Sequence, residues 1–191
     1  MIPFRKKKSK AFPCKVCSLD SQLEFFLELQ STGNDLFEMV TRAFGLREEW
    51  YFGLQYEDTK GNICWLKKEK KVVDQNINKD SSLFMFYAKY FPENVAEELV
   101  QEITQHLFFL QIKQAILTME YYVPPEASVL LASYYVQAKY GDFDDLNDTG
   151  IFMNEDLLPQ RVINQYSMTP EMWFERIKTW YQGNYYFIYV N

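Results

Sequence analysis

The chain has 191 residues, 48% of them hydrophobic and 18% aromatic, which is enough for one large core or two small ones. Its formal net charge of −6 is unevenly spread, with +5 in residues 1–10, −2 in residues 11–91 and −9 in residues 92–191. The acidic second half argues against nucleic acid as a partner, because phosphate binding needs basic groups, and three cysteines cannot close a disulfide framework.

Residues 1–11 read as a disordered basic arm, in which Arg5-Lys-Lys-Lys8 and Lys10 offer an auxiliary contact to anionic lipid. The arm lacks the apolar segment of about 7–15 residues that marks a secretory signal. No apolar run nears the roughly 20 residues that span a bilayer, and position 2 is Ile, which rules out N-myristoylation. A soluble intracellular protein of a reducing compartment is the expectation.

From Phe12 the pattern has period two. Phe12, Cys14 and Val16 alternate with Pro13, Lys15 and Cys17, Leu19-Asp20-Ser21 makes a turn, and Leu23, Phe25, Leu27 and Leu29 alternate with Glu24 and Glu28 among them. This predicts a hairpin with one buried face. Ser31-Thr32-Gly33-Asn34 opens a helix with Leu36, Phe37, Val40, Ala43 and Phe44 on one stripe and Gly45 just past its end. Strands follow around residues 50–56 and 63–66, then a short turn at 72–77 and a last strand over 83–90. The order strand, strand, helix, strand, strand, turn, strand is that of a ubiquitin-like β-grasp over residues 12–91.

Residues 92–182 read as helical. Asn94 with Glu97 three residues later predicts a capping box opening one long helix to Leu117. Pro125 fits the first position of a second helix that Gly141 ends. In both, a run of four apolar residues (Leu107 to Leu110, Val129 to Ala132) exceeds one turn, so cover is expected on every side. An acidic loop holds Asp142, Asp144, Asp145 and Asp148. Thr169 and Pro170 then cap a third helix to about Tyr181. Gly183 is expected to end it, leaving the β-rich Asn184 to Asn191 as a strand.

Candidate chemistry is sparse. Cys14-Lys-Val-Cys17 has a metal or redox spacing, but on a strand residues 14 and 17 point to opposite faces, and no second ligand pair completes a zinc site. His106, the only histidine, has no nucleophile nearby in sequence and reads as a polar packing residue. There is no dinucleotide fingerprint, P-loop or nucleophile elbow. We expect no catalytic group, metal or cofactor. The basic cluster Lys67, Lys68, Lys70 and Lys71, interrupted by Glu69, reads either as a solvated turn or as a contact to phosphate or acidic lipid headgroups.

Several long strings carry a resemblance. Gly45-Leu-Arg-Glu-Glu-Trp-Tyr-Phe-Gly-Leu-Gln-Tyr56, Trp65-Leu-Lys-Lys-Glu-Lys-Lys71, Phe91-Pro-Glu-Asn94, Gln101-Glu-Ile-Thr-Gln-His-Leu-Phe-Phe-Leu-Gln111, Pro124-Pro-Glu-Ala-Ser-Val-Leu-Leu-Ala-Ser-Tyr134 and Leu157-Leu-Pro-Gln-Arg-Val162 resemble the FERM domain of the band 4.1, ezrin, radixin and moesin superfamily. Thr104-Gln-His106, Pro125-Glu-Ala-Ser128 and Met168-Thr-Pro-Glu-Met-Trp173 are similar to the merlin branch of that family.

The resemblance implies an α+β fold: a ubiquitin-like lobe, then an acyl-CoA-binding-protein-like helical lobe, with a PH-like third lobe essentially missing and residues 183–191 a remnant strand of it. It implies a non-enzymatic adaptor linking plasma-membrane proteins or phosphoinositides to the cortical cytoskeleton, peripheral at the inner face of the plasma membrane, with a role in growth control. Partners would be cytoplasmic tails of membrane proteins, adaptor proteins and, weakly, anionic lipid headgroups. Actin would be reached only indirectly, and self- or hetero-association would use the incompletely covered helical lobe. Lys67 and Lys70, with Lys71 beside them, match headgroup-binding positions of the first lobe. Glu69 stands where ezrin-like members carry Asn and adds a like charge to the phosphate. The alternative is a truncated isoform, non-functional or regulatory, unable to bind actin or peptide ligands.

Overall fold

Alternating apolar residues from Ala11 to Glu28 form the expected hairpin of β1 (Ala11–Cys17) and β2 (Gln22–Glu28), with Cys14 opposite Phe25 and Val16 opposite Leu23. The computed structural model describes residues 11–78, 82–143 and 156–188, the last four of these as backbone only. The arm preceding Ala11, the acidic residues Asp144, Asp145 and Asp148, and residues 189–191 lie outside the described residues. The described chain falls into two compact units, Met1–Gln111 and Ile112–Asn191.

In the first unit α1 (Gly33–Phe44) begins at a complete capping box, with the Thr32 side chain accepting from the Asp35 amide and the Asp35 carboxylate accepting from the Thr32 amide. It ends at Gly45, whose φ of 67° is the left-handed conformation that glycine adopts without strain. The inner stripe is Leu36, Phe37, Val40 and Thr41, whereas Ala43 faces solvent.

Strands β3 (Phe52–Glu57), β4 (Ile63–Trp65) and β5 (Leu83–Ala88) complete one sheet of order β2-β1-β5-β3-β4. β1 and β5 pair in parallel at its centre, and the other pairings are antiparallel. The α1 stripe covers this sheet, forming a core of Val16, Leu27, Leu36, Phe37, Val40, Leu54, Phe84 and Phe86. Ring stacking adds to it, with the Phe52 and Phe86 centroids 5.1 Å apart.

The single long helix expected from Asn94 to Leu117 is two helices, α2 (Val95–Glu98) and α3 (Glu102–Leu117). Three observations account for the break. Leu99 leaves helical geometry and is buried in the β-grasp core with Leu107 and Phe108. The Glu48 carboxylate accepts from the amides of Val100 and Gln101 at 2.9 and 3.0 Å, holding the non-helical link just before α3. In return, Gln101 Oε1 accepts from the amides of Arg47 and Glu48 at 2.6 and 3.1 Å. The expected Asn94 side-chain cap is absent, and the Asn94 amide donates instead to the Glu98 carboxylate.

The second unit contains α4 (Pro125–Tyr140), α5 (Gln160–Gln165) and α6 (Pro170–Ile188). Pro125 and Gly141 stand at the expected ends of α4, and the Thr169 hydroxyl accepts from the Met172 amide at the start of α6. The core joins Val129, Ala132, Tyr135 and Val136 of α4 to Leu157, Leu158, Val162, Trp173, Ile177 and Tyr181.

The strand expected after Gly183 is not formed, because α6 continues through Gly183 to Ile188. Trp173, Ile177, Tyr181 and Asn184 are all buried and recur at helical spacing, so one stripe runs across the glycine. Asn184 Nδ2 donates to Ser133 Oγ of α4 at 3.2 Å, and the Tyr181 hydroxyl donates to the Gly141 carbonyl at 2.9 Å. Gly183 lies on the exposed face.

Each four-residue apolar run is buried on one side only. Leu107, Phe108, Val129 and Ala132 are inside, whereas Phe109 is 37% and Leu131 42% exposed.

Candidate functional site

The basic cluster forms the loop between β4 and a 3-10 turn at Val72–Asp74. Its backbone is fixed by a neutral residue. The buried Gln75 amide accepts from the Lys67 N–H at 2.8 Å and donates to the carbonyls of Lys67, Lys70 and Lys71 at 3.0, 3.0 and 3.2 Å. The loop also docks on the start of α1, where the amides of Gly33 and Asn34 donate to the carbonyls of Lys70 and Lys68 at 2.8 Å each. A Cβ on Gly33 would lie 2.4 Å from the Lys67 carbonyl oxygen, so glycine is required for this approach.

These contacts sort the lysines. Lys68 turns back over α1 and holds its ammonium 3.4 Å from the Phe37 ring centroid. Burial draws its pKa below the ordinary lysine value, against Glu49 and Glu38, which raise it, while nearby Lys89 adds to the lowering. All four lysines are exposed, and Lys67, Lys70 and Lys71 make no ion pair among the described residues. Glu69 is exposed between them.

Because the first amides of α1 are already spent on loop carbonyls, an anion here meets ammonium groups and no helix terminus. Such a surface attracts phosphate by charge alone, at about 1 kcal/mol per basic residue near an anionic membrane. Its binding is therefore salt-sensitive.

The other sequence candidates have structural roles. Cys14 is buried, and burial pushes its thiol up to about 11, against a weaker opposing hydrogen bond with the Phe25 backbone. Cys17 sits at the end of β1, on the opposite face and half-buried. His106 Nε2 lies 2.7 Å from Asp20 Oδ2, joining α3 to the β1–β2 turn. Partial burial raises the Asp20 carboxyl, but hydrogen bonds with His106, Ser18 and Ser21 outweigh it and hold the pKa below the usual value.

Sequence reasoning missed the Glu48–Gln101 clamp. Burial raises the Glu48 carboxyl, but the Thr104 hydroxyl and the amides of Val100 and Gln101 bring its pKa below the ordinary glutamate value. The only signal in the sequence was an acidic pair, Glu48-Glu49, at the end of a loop.

Comparison with known proteins agrees with this architecture. Residues 16–78 match the FERM N-terminal domain and residues 94–184 the FERM central domain. Moesin/ezrin/radixin homolog 2 of Drosophila melanogaster is 57% identical over 189 residues, covering 96% of this chain and 30% of its own length. Human Merlin is 55% identical over 179 residues, covering 93% of this chain and 30% of its own length. The chain thus spans 30% of the length of these curated relatives. The crystal structure of the FERM and C-terminal domain complex of Drosophila Merlin superposes with a TM-score of 0.85 at 57% identity, over 90% of this chain and 58% of that one. A ubiquitin-like sheet and a helical unit, each matched by its own domain model, place this chain in the FERM-domain family.

Proposed function

We propose that the chain serves as a non-enzymatic adaptor that brings membrane-protein tails and anionic phosphoinositide headgroups to the cortical cytoskeleton, peripheral to the inner face of the plasma membrane. Membership of a family of membrane–cytoskeleton linkers supports the general reading. The observation that carries the lipid part is the exposed set Lys67, Lys70 and Lys71 on a turn whose backbone Gln75 holds fixed. Lys68 contributes field rather than contact, since its ammonium rests on Phe37. Similarity to merlin, in strings such as Met168 to Trp173, brings growth-control signalling into the same reading.

The test is co-sedimentation with phosphatidylcholine vesicles, with and without a phosphoinositide, at low and high salt. Binding that needs the anionic lipid, falls with salt and is lost in the Lys67→Glu/Lys70→Glu/Lys71→Glu variant is the expected result. Unchanged vesicle binding by a folded triple variant would remove the basic turn from the mechanism.

A further inference from the structure

β2 is an edge strand, and no element among the described residues pairs with its outer side. The register identifies which of its main-chain groups are free. The Lys15 amide donates to Ser82 on the β5 side, so Pro13, Lys15 and Cys17 direct their main-chain groups toward β5. Phe12, Cys14 and Val16 therefore bond to their partners Leu27, Phe25 and Leu23. The Ser18–Ser21 hydrogen bond continues the same alternation into the turn. Gln22, Glu24 and Phe26 are left with amides and carbonyls facing outward. Their side chains are exposed as well, and Phe26 is 72% exposed.

Natural edges are blunted by lysine, proline or a bulge. Across its seven residues β2 has none of these, and its charges are all negative. Glu24 is 63% exposed although it meets Lys15 at 3.4 Å, which leaves its far side open to a second cation. Just past the strand, Leu29 forms part of the wall of an apolar cavity of about 300 Å³, with Phe12, Val72, Val73, Ile77 and Phe84. Main-chain hydrogen bonds, a cation subsite and an adjacent apolar pocket are the components of strand addition.

We infer that the outer edge of β2 takes up an extended peptide segment of alternating basic and apolar residues, which pairs with the free main-chain groups of Glu24 and Phe26. Charge decides the occupant. A second copy of β2 would set a strand that carries no cation beside Glu24, whereas the open side of that carboxylate calls for one. A basic strand supplies it. Its apolar residues extend the half-buried inner row of Leu23 and Phe25, and its cations lie beside Glu24.

The probe is a capped nonapeptide alternating lysine and valine, titrated into the full chain and followed by backbone amide chemical shifts and hydrogen exchange. Its controls are the same peptide N-methylated at alternate amides, which keeps charge and removes strand pairing, and the Phe26→Pro variant. Proline is tolerated on an edge where the lost amide faces solvent, so that variant keeps the hairpin. The expected result is protection of the Glu24 and Phe26 amides, with affinity weakened at least about tenfold by N-methylation and by Phe26→Pro. A Phe26→Ala variant, which keeps the amide, is expected to lose less. Equal binding of the N-methylated peptide would reduce the contact to charge alone and overturn the inference. So would concentration-dependent self-association blocked by Phe26→Pro, which would make the edge an interface between copies. Vesicle binding through Lys67, Lys70 and Lys71 is read separately and can survive or fail without deciding this result.

Discussion

Replacing Gly183 by alanine tests the continuation of α6 directly. In a helix interior glycine costs about 0.8–1 kcal/mol relative to alanine, because the backbone loses more freedom on ordering. At Gly183 no steric term opposes the gain, since an added Cβ meets nothing within 4 Å. The position is five residues from the helix end at Ile188, where fraying reduces the effect, so we expect stabilisation of about 0.5–1 kcal/mol. For a unit the size of Ile112–Asn191 this corresponds to an upward shift of roughly 2–8 °C in Tm. The assay is thermal and urea unfolding followed by circular dichroism at a helix-sensitive wavelength, with Gly183→Pro as the opposing variant. Proline in this helix removes a main-chain bond and costs about 3 kcal/mol. If Gly183→Ala leaves the melt and the helical signal unchanged while Gly183→Pro is tolerated, the helix ends before Gly183 and the reasoning fails.

Glu48→Gln is expected to cost about 1–2 kcal/mol by weakening the acceptor at the link just before α3. The Glu48 pKa is lowered on folding, so its contribution is full above the unfolded glutamate value near about 4.3 and is lost as pH falls through the folded value. The stability gap between wild type and variant, measured by urea melts, therefore closes at acid pH; a gap that stays constant would refute the charge argument. Gln75→Ala removes four hydrogen bonds to the lysine loop and is expected to cost about 2 kcal/mol and to weaken vesicle binding without changing any charge. Full vesicle binding by that variant would show that loop shape does not matter. Thiol labelling near neutral pH is expected to reach Cys17 and Cys64 well before Cys14, whose thiol is buried and raised to about 11; mass spectrometry of partly labelled protein checks the order.

The elements that could be read from the sequence are those whose signals are local. The hairpin follows from period-two alternation, α1 from Thr32, Asp35 and Gly45, and the ends of α4 from Pro125 and Gly141. What escaped depends on distant partners. Residues 94–117 carry an unbroken helical pattern, and the break appears only because Leu99 joins a core built by the sheet and Glu48 reaches the amides beyond it. Gly183 followed by β-prone aromatics favours a strand locally, but the buried Asn184 has its partner at Ser133 on another helix. At the candidate site the lysines were visible as a cluster. The contact of the exposed Lys68 with Phe37, and the clamp on the backbone of the other three, were not, because Phe37 and Gln75 belong to other elements.

The Gln75 clamp binds only main-chain groups of Lys67, Lys70 and Lys71. The turn's contour is therefore indifferent to what its outward side chains are. Position 69, or any of Lys67, Lys70 and Lys71, can be rewritten from cation to neutral to anion while the loop keeps its trace on α1. Electrostatic strength at this surface is in that sense an adjustable dial mounted on a fixed frame, and a graded series of charge variants would vary membrane affinity while holding stability constant.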